Sequence, residues 1–237
     1  MKYLKQIDNM EKKLVWAFIT ILICILAVIL YLGSALRTTS FSNDEFQSAT
    51  TAYNLLNGNG FLKTDTYDGV ATYTRAWPAT ILLAGWIKLW GMSEITCRSL
   101  SIVYGVLFIL SIIYISNRMF KSIGYSLIVS LMCVAETSLT KYFGITRMYS
   151  LEMLLVVWMY YFIFRVLEWE NNSRKRNVLY AVTTTIISFF TYETHVNAML
   201  PLGGGGGFYC YSGVCYEEEK ISDSYNDRNC CDHSLRH

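Results

Sequence analysis

The sequence contains little charge, few prolines and few cysteines for its length. Charged residues make up 16% of the 237 residues, against about 25% in soluble domains, while hydrophobic residues make up 53%. Two prolines and an aromatic content of 15% exclude a disordered, collagen-like or linker-rich chain. Seven scattered cysteines are too few for a secreted disulfide scaffold, and a net charge of +2 gives no basic field for nucleic acid. The composition therefore predicts a membrane protein.

The chain divides into two unlike parts. Residues 1–202 carry an excess of basic side chains, whereas residues 203–237 carry an excess of acidic ones and open with five glycines, 203–207. We interpret 1–202 as the N-terminal part of a transmembrane domain and 203–237 as a Gly/Cys-rich tail that is non-native or disordered. A glycine run is a place where a reading frame can slip, so we expect a truncated or frameshifted product. The alternative is a zinc site, with a ligand spacing longer than usual, at Cys210, Cys215, His233 and His237.

Five apolar segments are long enough to cross a bilayer, which takes about 20 residues. They cover 14–36, 99–117, 122–140, 148–164 and 177–192, the last continuing to 202. The first is longer than the apolar core of a cleaved signal peptide. Basic residues concentrate at the N-terminus, at 118–121 and at 174–176, so alternating spans place all three on the cytoplasmic side. We expect an all-α integral membrane bundle of about five spans in the plasma membrane, its N-terminus cytoplasmic.

A long outer loop, 37–98, shows signs of surface helices. Ser42 and Glu45 have the spacing of a capping box, in which hydroxyl and carboxylate each accept a free backbone N–H. Apolar residues follow at helical spacing and predict an amphipathic helix on the membrane surface, at Phe46, Ala49, Tyr53 and Leu56. A second short helix is predicted over 78–90, because proline suits a first helical turn and tryptophans flank the segment.

Ionisable groups from three stretches meet at the outer side of this arrangement. Charge in or near a span is costly, and so it indicates function. The outer groups are Asp44 and Glu45 after the first span, Lys141, Arg147 and Glu152 around the fourth, and Glu193 and His195 at the fifth. This convergence of acid, base and imidazole predicts one site on the outer face.

Structural interpretations of the same residues remain open. Glu45 can be only a helix cap, and Arg147 can be an interfacial arginine that extends to the headgroups. Glu152 can simply neutralise Arg147 from the same helix, and His195 can be a hydrogen-bonded bystander. We interpret Glu136 and Lys141 as interfacial residues.

The ordered motifs resemble those of a known family. They are Tyr73-Thr74-Arg75-Ala76-Trp77-Pro78, Leu89-Trp90-Gly91-Met92-Ser93-Glu94, Arg98-Ser99-Leu100-Ser101, Arg147-Met148-Tyr149 and Thr194-His195, after the Asp44-Glu45 pair. Over about 14–202 the chain resembles the N-terminal part of a GT-C fold glycosyltransferase, of the dolichyl-phosphate-mannose-protein mannosyltransferase-like and aminoarabinose-transferase-like group. The resemblance implies transfer of a sugar, with inversion, from a polyprenyl-phosphate donor to a protein, lipid or glycan acceptor. Members of the group are usually more than twice as long.

The resemblance also implies roles for individual residues. Displacing a phosphate from an anomeric carbon needs a base and positive charge for the leaving group. Asp44 matches the base or its organiser, with Glu45 beside it as a second catalytic residue. Donor phosphate binding is assigned to Arg147, Tyr149 and His195, with Glu152 and Arg75 in support. The chemistry permits a divalent cation between carboxylates and phosphate but requires no metal.

Two other function classes remain as alternatives to an enzyme. A transporter or channel subunit would show charges deep in spans, broken helices at mid-membrane and repeated halves, and the sequence indicates none of these. A non-catalytic membrane fragment is compatible with the unusual tail.

Overall fold

The computed structural model describes residues 2–37, 40–66, 69–72, 76–167 and 174–195. Within these ranges the chain is mostly helical, as predicted, with eight helices and one β-hairpin. The elements are α1 (Lys2–Leu36), α2 (Asn43–Leu56), β1 (Lys63–Thr66), β2 (Gly69–Thr72), α3 (Trp77–Trp90), α4 (Glu94–Phe120), α5 (Ile123–Ala135), α6 (Thr137–Phe143), α7 (Tyr149–Leu167) and α8 (Arg174–Thr194). The tail and its zinc alternative lie outside the described residues.

Three helical segments in the described ranges are long and apolar enough to cross a membrane: Lys13–Leu36, Glu94–Phe120 and Tyr149–Leu167. Large apolar side chains on α1 are exposed, including Leu14, Phe18 and Ile29. Exposed apolar surface of this extent favours lipid contact over water. Three of the five predicted spans therefore have helices of suitable length and composition.

The predicted span 122–140 is a broken pair of helices. α5 and α6 meet at Glu136 with a bend of 72°, and the pair counts as a fourth span only if both are taken together. The Glu136 carboxylate accepts a hydrogen bond from the backbone N–H of Ser138 at 3.1 Å and so caps α6. A side chain that starts a new helix interrupts the preceding one, and this explains the break. Glu136 is exposed.

The predicted fifth span coincides with α8, which is helical but is not among the segments apolar enough to cross. Its first turn is Arg174-Lys175-Arg176, and three consecutive threonines, 183–185, occupy its middle. Each of these threonine hydroxyls donates to a carbonyl one turn earlier in the helix, which satisfies it internally. The count of five spans stays a prediction.

The helical core lies between α1, α4, α5 and α6 around an aromatic layer. The Tyr31 and Phe108 rings lie 5.1 and 5.4 Å from the ring of Phe143. Gly105 of α4 faces this layer, and a Cβ there would lie 2.6 Å from the Tyr31 ring. Close approach of the two helices therefore depends on glycine at this position.

The outer segment 37–98 contains the two predicted helices and one element that was not predicted. α2 carries the full capping box at Ser42 and Glu45, and α3 matches the helix expected over 78–90. Between them, β1 and β2 pair antiparallel from Lys63↔Thr72 to Thr66↔Gly69, which corrects the all-α prediction. Threonine and valine favour these short strands. Thr64 fixes the hairpin to α2 through a 3.1 Å hydrogen bond between its hydroxyl and that of Thr50.

The large apolar side chains of α2 face away from the rest of the protein. Phe46 and Tyr53 are exposed, whereas the side packed against the protein consists of small and polar residues such as Ala49, Ala52 and Thr51. The large apolar side chains therefore lie on the outer side of the helix, where a membrane-surface helix needs them.

Candidate functional site

Glu45 is the centre of the contacts that join the outer segment to the helical bundle. Its residue exposure is only 2%. One carboxylate oxygen accepts from Arg98 Nε at 3.0 Å and from the backbone N–H of Thr146 at 2.9 Å. The other accepts from Arg98 Nη2 and from the Ser42 backbone N–H, both at 3.1 Å. The cap interpretation is thus confirmed, and the same carboxylate also links α2, α4 and the loop before α7.

These donors fix the charge state of Glu45. Burial raises the pKa of its carboxyl, but hydrogen bonds from Arg98, Thr146 and Ser42 together with the Arg98 charge outweigh it, so that the pKa lies below its usual 4.5. Glu45 is therefore an ionised, fully paired carboxylate. This arrangement favours a positioning role over the catalytic role predicted for it.

A pH dependence follows from this shift. Because the pKa of Glu45 is lowered by folding, its stabilising effect is fully present above pH 4.5 and is lost as the pH falls through the folded value. We expect thermal unfolding of the solubilised protein to show a gap between wild type and Glu45→Gln that is constant near neutrality and narrows below pH 4.5. A gap that widens on acidification would contradict the assignment.

Arg98 belongs to one of the sequence motifs, but its structural role in joining the helices was not predicted. It is 3% exposed, and beyond Glu45 it donates to the Ala35 carbonyl at 2.8 Å and the Ser40 carbonyl at 3.0 Å. One guanidinium thus holds the end of α1, the start of α2 and α4 together. The sequence does contain a signal: an arginine one turn into an apolar helix requires a buried anion, and Asp44-Glu45 supplies one.

Asp44 and Arg147 form a second ion pair of the site, in which the Asp44 side chain is exposed and the Arg147 side chain is not. Arg147 Nη2 lies 3.3 Å from Asp44 Oδ2, and Arg147 Nη1 donates to the Asp44 carbonyl at 3.1 Å. The Asp44 side chain is 65% exposed and that of Arg147 only 11%. The predicted convergence of these two residues is confirmed, and the carboxylate remains open to a ligand from solvent.

The remaining predicted groups continue from Arg147 as a chain of contacts. The guanidinium carbon lies 5.5 Å from the centre of the Tyr149 ring, and that ring lies 5.1 Å from the His195 imidazole. His195 Nδ1 in turn lies 3.7 Å from Glu152 Oε2. Glu152 therefore pairs with the imidazole and not with Arg147. The structure thus brings together six of the seven predicted residues; Arg75 lies outside the described residues.

The loop that carries Arg147 is held from two sides. Thr146 is bound through its backbone to Glu45, as described above. On the other side Gly144 approaches the end of α1 so closely that a Cβ would lie 2.8 Å from Ser34 Cβ and 3.1 Å from the Ala35 nitrogen. Substituting Gly144 would therefore shift either the loop or α1.

α8 reaches the site and also contacts the outer segment. Trp77 Nε1, at the start of α3, donates to Glu193 Oε2 at 2.7 Å, and its ring lies 6.0 Å from that of Phe190. The predicted outer-end group Glu193 therefore anchors a tryptophan. This contact holds the end of α8, and hence His195, near α3.

The arrangement offers a solvent-open carboxylate, a guanidinium beside it and a partly buried imidazole–carboxylate pair. Across the described part of the chain, no group of three or more His, Cys, Asp or Glu side chains is placed to hold a metal ion. Compared with known protein families and with characterised proteins, the sequence matches none. The functional interpretation therefore depends on the site itself and on the motif resemblance.

Proposed function

We propose that this chain is a membrane glycosyltransferase that moves a sugar from a polyprenyl-phosphate donor to a protein, lipid or glycan acceptor. The observation that carries the proposal is the Asp44–Arg147 pair, a carboxylate and a guanidinium 3.3 Å apart at one end of the bundle. Inverting displacement of a phosphate needs these two groups within reach of one anomeric carbon. We place the site on the outer face of the plasma membrane, with a cytoplasmic N-terminus, from the distribution of basic residues.

Asp44 is suited to act as the base because its carboxylate is exposed. It takes the proton of the acceptor hydroxyl while the hydroxyl oxygen bonds to the anomeric carbon from the face opposite the phosphate. The bond from the anomeric carbon to the phosphate oxygen breaks, and its electron pair leaves with the phosphate. Configuration inverts, and no acid is needed because phosphate leaves as a stable anion.

Arg147 is suited to receive that anion. A guanidinium presents five N–H donors in a planar fork, so it can pair with phosphate oxygens while it keeps its contact with the Asp44 carbonyl. The Tyr149 ring beneath it restricts its orientation. We assign His195, which lies against the Tyr149 ring, as a further donor to the same phosphate.

The test is transfer by membranes that contain the full chain. We expect label from a radioactive polyprenyl-phosphate sugar, tried as mannose and aminoarabinose donors, to appear in an acceptor fraction above the level of membranes lacking the chain. The reason is that the base and the phosphate-binding group are already adjacent before any donor binds. Absence of transfer from both donors, with the chain present in the membrane, would contradict an active enzyme.

A transporter-like subunit is a second candidate, and one observation favours it. The bend at Glu136 is a broken helix, which is a feature of transporters. The Asp44–Arg147 pair favours the transferase, because it lies at an end of the bundle and not at mid-depth.

A further inference from the structure

A small cavity lies beside Arg147, between α2, α3, α4 and the loop before α7. Its volume is about 30 Å³. Its lining combines Arg147 and five hydroxyl-bearing residues with apolar side chains such as Leu83, Leu100 and Met148; the hydroxyl-bearing residues are Ser48, Thr80, Ser101, Tyr104 and Thr146. Roughly 10–15 Å³ of such space holds one water molecule, so the cavity has room for only one or two groups of that size.

Thr146 contributes an unusual group to this cavity. The residue is 3% exposed, and its hydroxyl is buried with no hydrogen-bond partner within the described ranges. Its backbone N–H donates to Glu45 at 2.9 Å, and this hydrogen bond holds the residue beside the cavity. A buried hydroxyl normally finds a partner, so an unpaired one beside a cavity points to a group that is bound from outside.

Two of the neighbouring hydroxyls, those of Ser48 and Thr80, differ from that of Thr146 in one respect. Ser48 Oγ already donates to the Asp44 carbonyl at 3.0 Å, and Thr80 Oγ1 donates to the Ala76 carbonyl at 3.1 Å. Each can still accept a hydrogen bond, whereas Thr146 can both donate and accept. The cavity therefore offers both hydrogen-bond donors and hydrogen-bond acceptors. A hydroxyl group can use both, because it also donates and accepts.

We infer that Thr146 is a specificity-determining residue that binds one hydroxyl substituent of the sugar whose phosphate is held by Arg147. This inference rests on the proposed function, since it takes Arg147 as the phosphate-binding group. The cavity is too small for a whole pyranose ring, so a single hydroxyl or hydroxymethyl group enters it while the ring stays outside, near Asp44. Thr146 and Arg147 are consecutive, so one loop binds both the phosphate and the sugar.

The test compares two kinds of ligand on the purified full chain in nanodiscs. The probes are citronellyl phosphate, which has no sugar, and citronellyl phosphate linked to mannose, glucose or galactose. The measured quantity is the sugar increment, defined as the Kd for citronellyl phosphate divided by the Kd for the tightest sugar-bearing probe. Thr146→Val removes the hydroxyl with little change in shape, and Thr146→Ser retains it as the matched control.

We expect Thr146→Val to lower the sugar increment about fivefold to tenfold, the effect of one lost hydrogen bond. Its Kd for citronellyl phosphate should stay within about twofold of wild type, and Thr146→Ser should keep the increment. An unchanged increment in Thr146→Val would overturn the inference, as would a wild type that binds no sugar-bearing probe more tightly than citronellyl phosphate, which would indicate a buried water only. Failure of the proposed function is distinguished by Arg147→Gln, which would then leave citronellyl phosphate binding unchanged.

Discussion

Replacing Asp44 by asparagine should reduce sugar transfer by a factor of about 10² to 10⁴, the range that a positioned general base supplies. The amide keeps the size of the side chain but takes up no proton from the acceptor hydroxyl. Because the Asp44 side chain is 65% exposed, its ion pair with Arg147 adds little to stability. Loss of activity should therefore come without loss of fold or of membrane insertion. The measurement is the rate of label transfer at equal amounts of inserted protein.

The matched control for this variant is Asp65→Asn. Asp65 is an exposed carboxylate on β1 in the same outer segment, so its substitution removes the same charge without touching Arg147. We expect its transfer rate to stay within about twofold of wild type. Transfer that survives in Asp44→Asn would show that another group takes the proton, and the partly buried His195–Glu152 pair would then be the next residues to test.

Replacing Arg98 by leucine should cause the largest loss of stability in the outer segment. The substitution leaves the Glu45 carboxylate buried without its counter-ion, and removing one partner of a buried pair costs about 3–5 kcal/mol. It also leaves the Ala35 and Ser40 carbonyls without their donors. We expect a strongly lowered unfolding temperature in detergent and faster proteolysis between α1 and α4.

Two further variants separate the ion pair from a general effect of the substitution. Arg37→Leu changes an exposed arginine at the end of α1 and should leave unfolding nearly unchanged. Adding Glu45→Leu to Arg98→Leu removes the uncompensated charge and should restore part of the stability. The loss in free energy of unfolding is compared between the variants. If the double variant loses more than the two single variants lose together, the Arg98–Glu45 pair is not the source of the effect.

Local signals in the sequence predicted the outer helices well. Ser42 and Glu45 sit at the spacing of a capping box, and proline at 78 suits a first turn, so α2 and α3 are specified by residues next to their own ends. The hairpin at 63–72 was missed because strands of four residues carry too little pattern to be recognised, and their pairing depends on contacts with α2. The bend at Glu136 was not predicted because a continuous apolar segment does not indicate where a helix changes direction.

The site was predictable in membership but not in pairing. Threading the spans placed Asp44 and Arg147 on one side, and that placement depends only on charge and segment length. Which anion pairs with which cation depends on side-chain directions after packing. Arg98 pairs with Glu45. Asp44 therefore pairs with Arg147, and Glu152 pairs with His195. The separation of these residues along the sequence does not determine which of them pair.

The close packing of Gly144 on Ser34 joins the loop that carries Arg147 to α1, a helix long and apolar enough to cross a membrane. A long apolar helix adjusts its tilt when the hydrocarbon thickness differs from its own length. The end of α1 that would swing in such an adjustment touches the short loop bearing Arg147, while Arg98 ties the same end to the segment bearing Asp44. Under the proposed function, we expect the separation of the Asp44 carboxylate and the Arg147 guanidinium to depend on bilayer thickness, so that the transfer rate varies with lipid chain length.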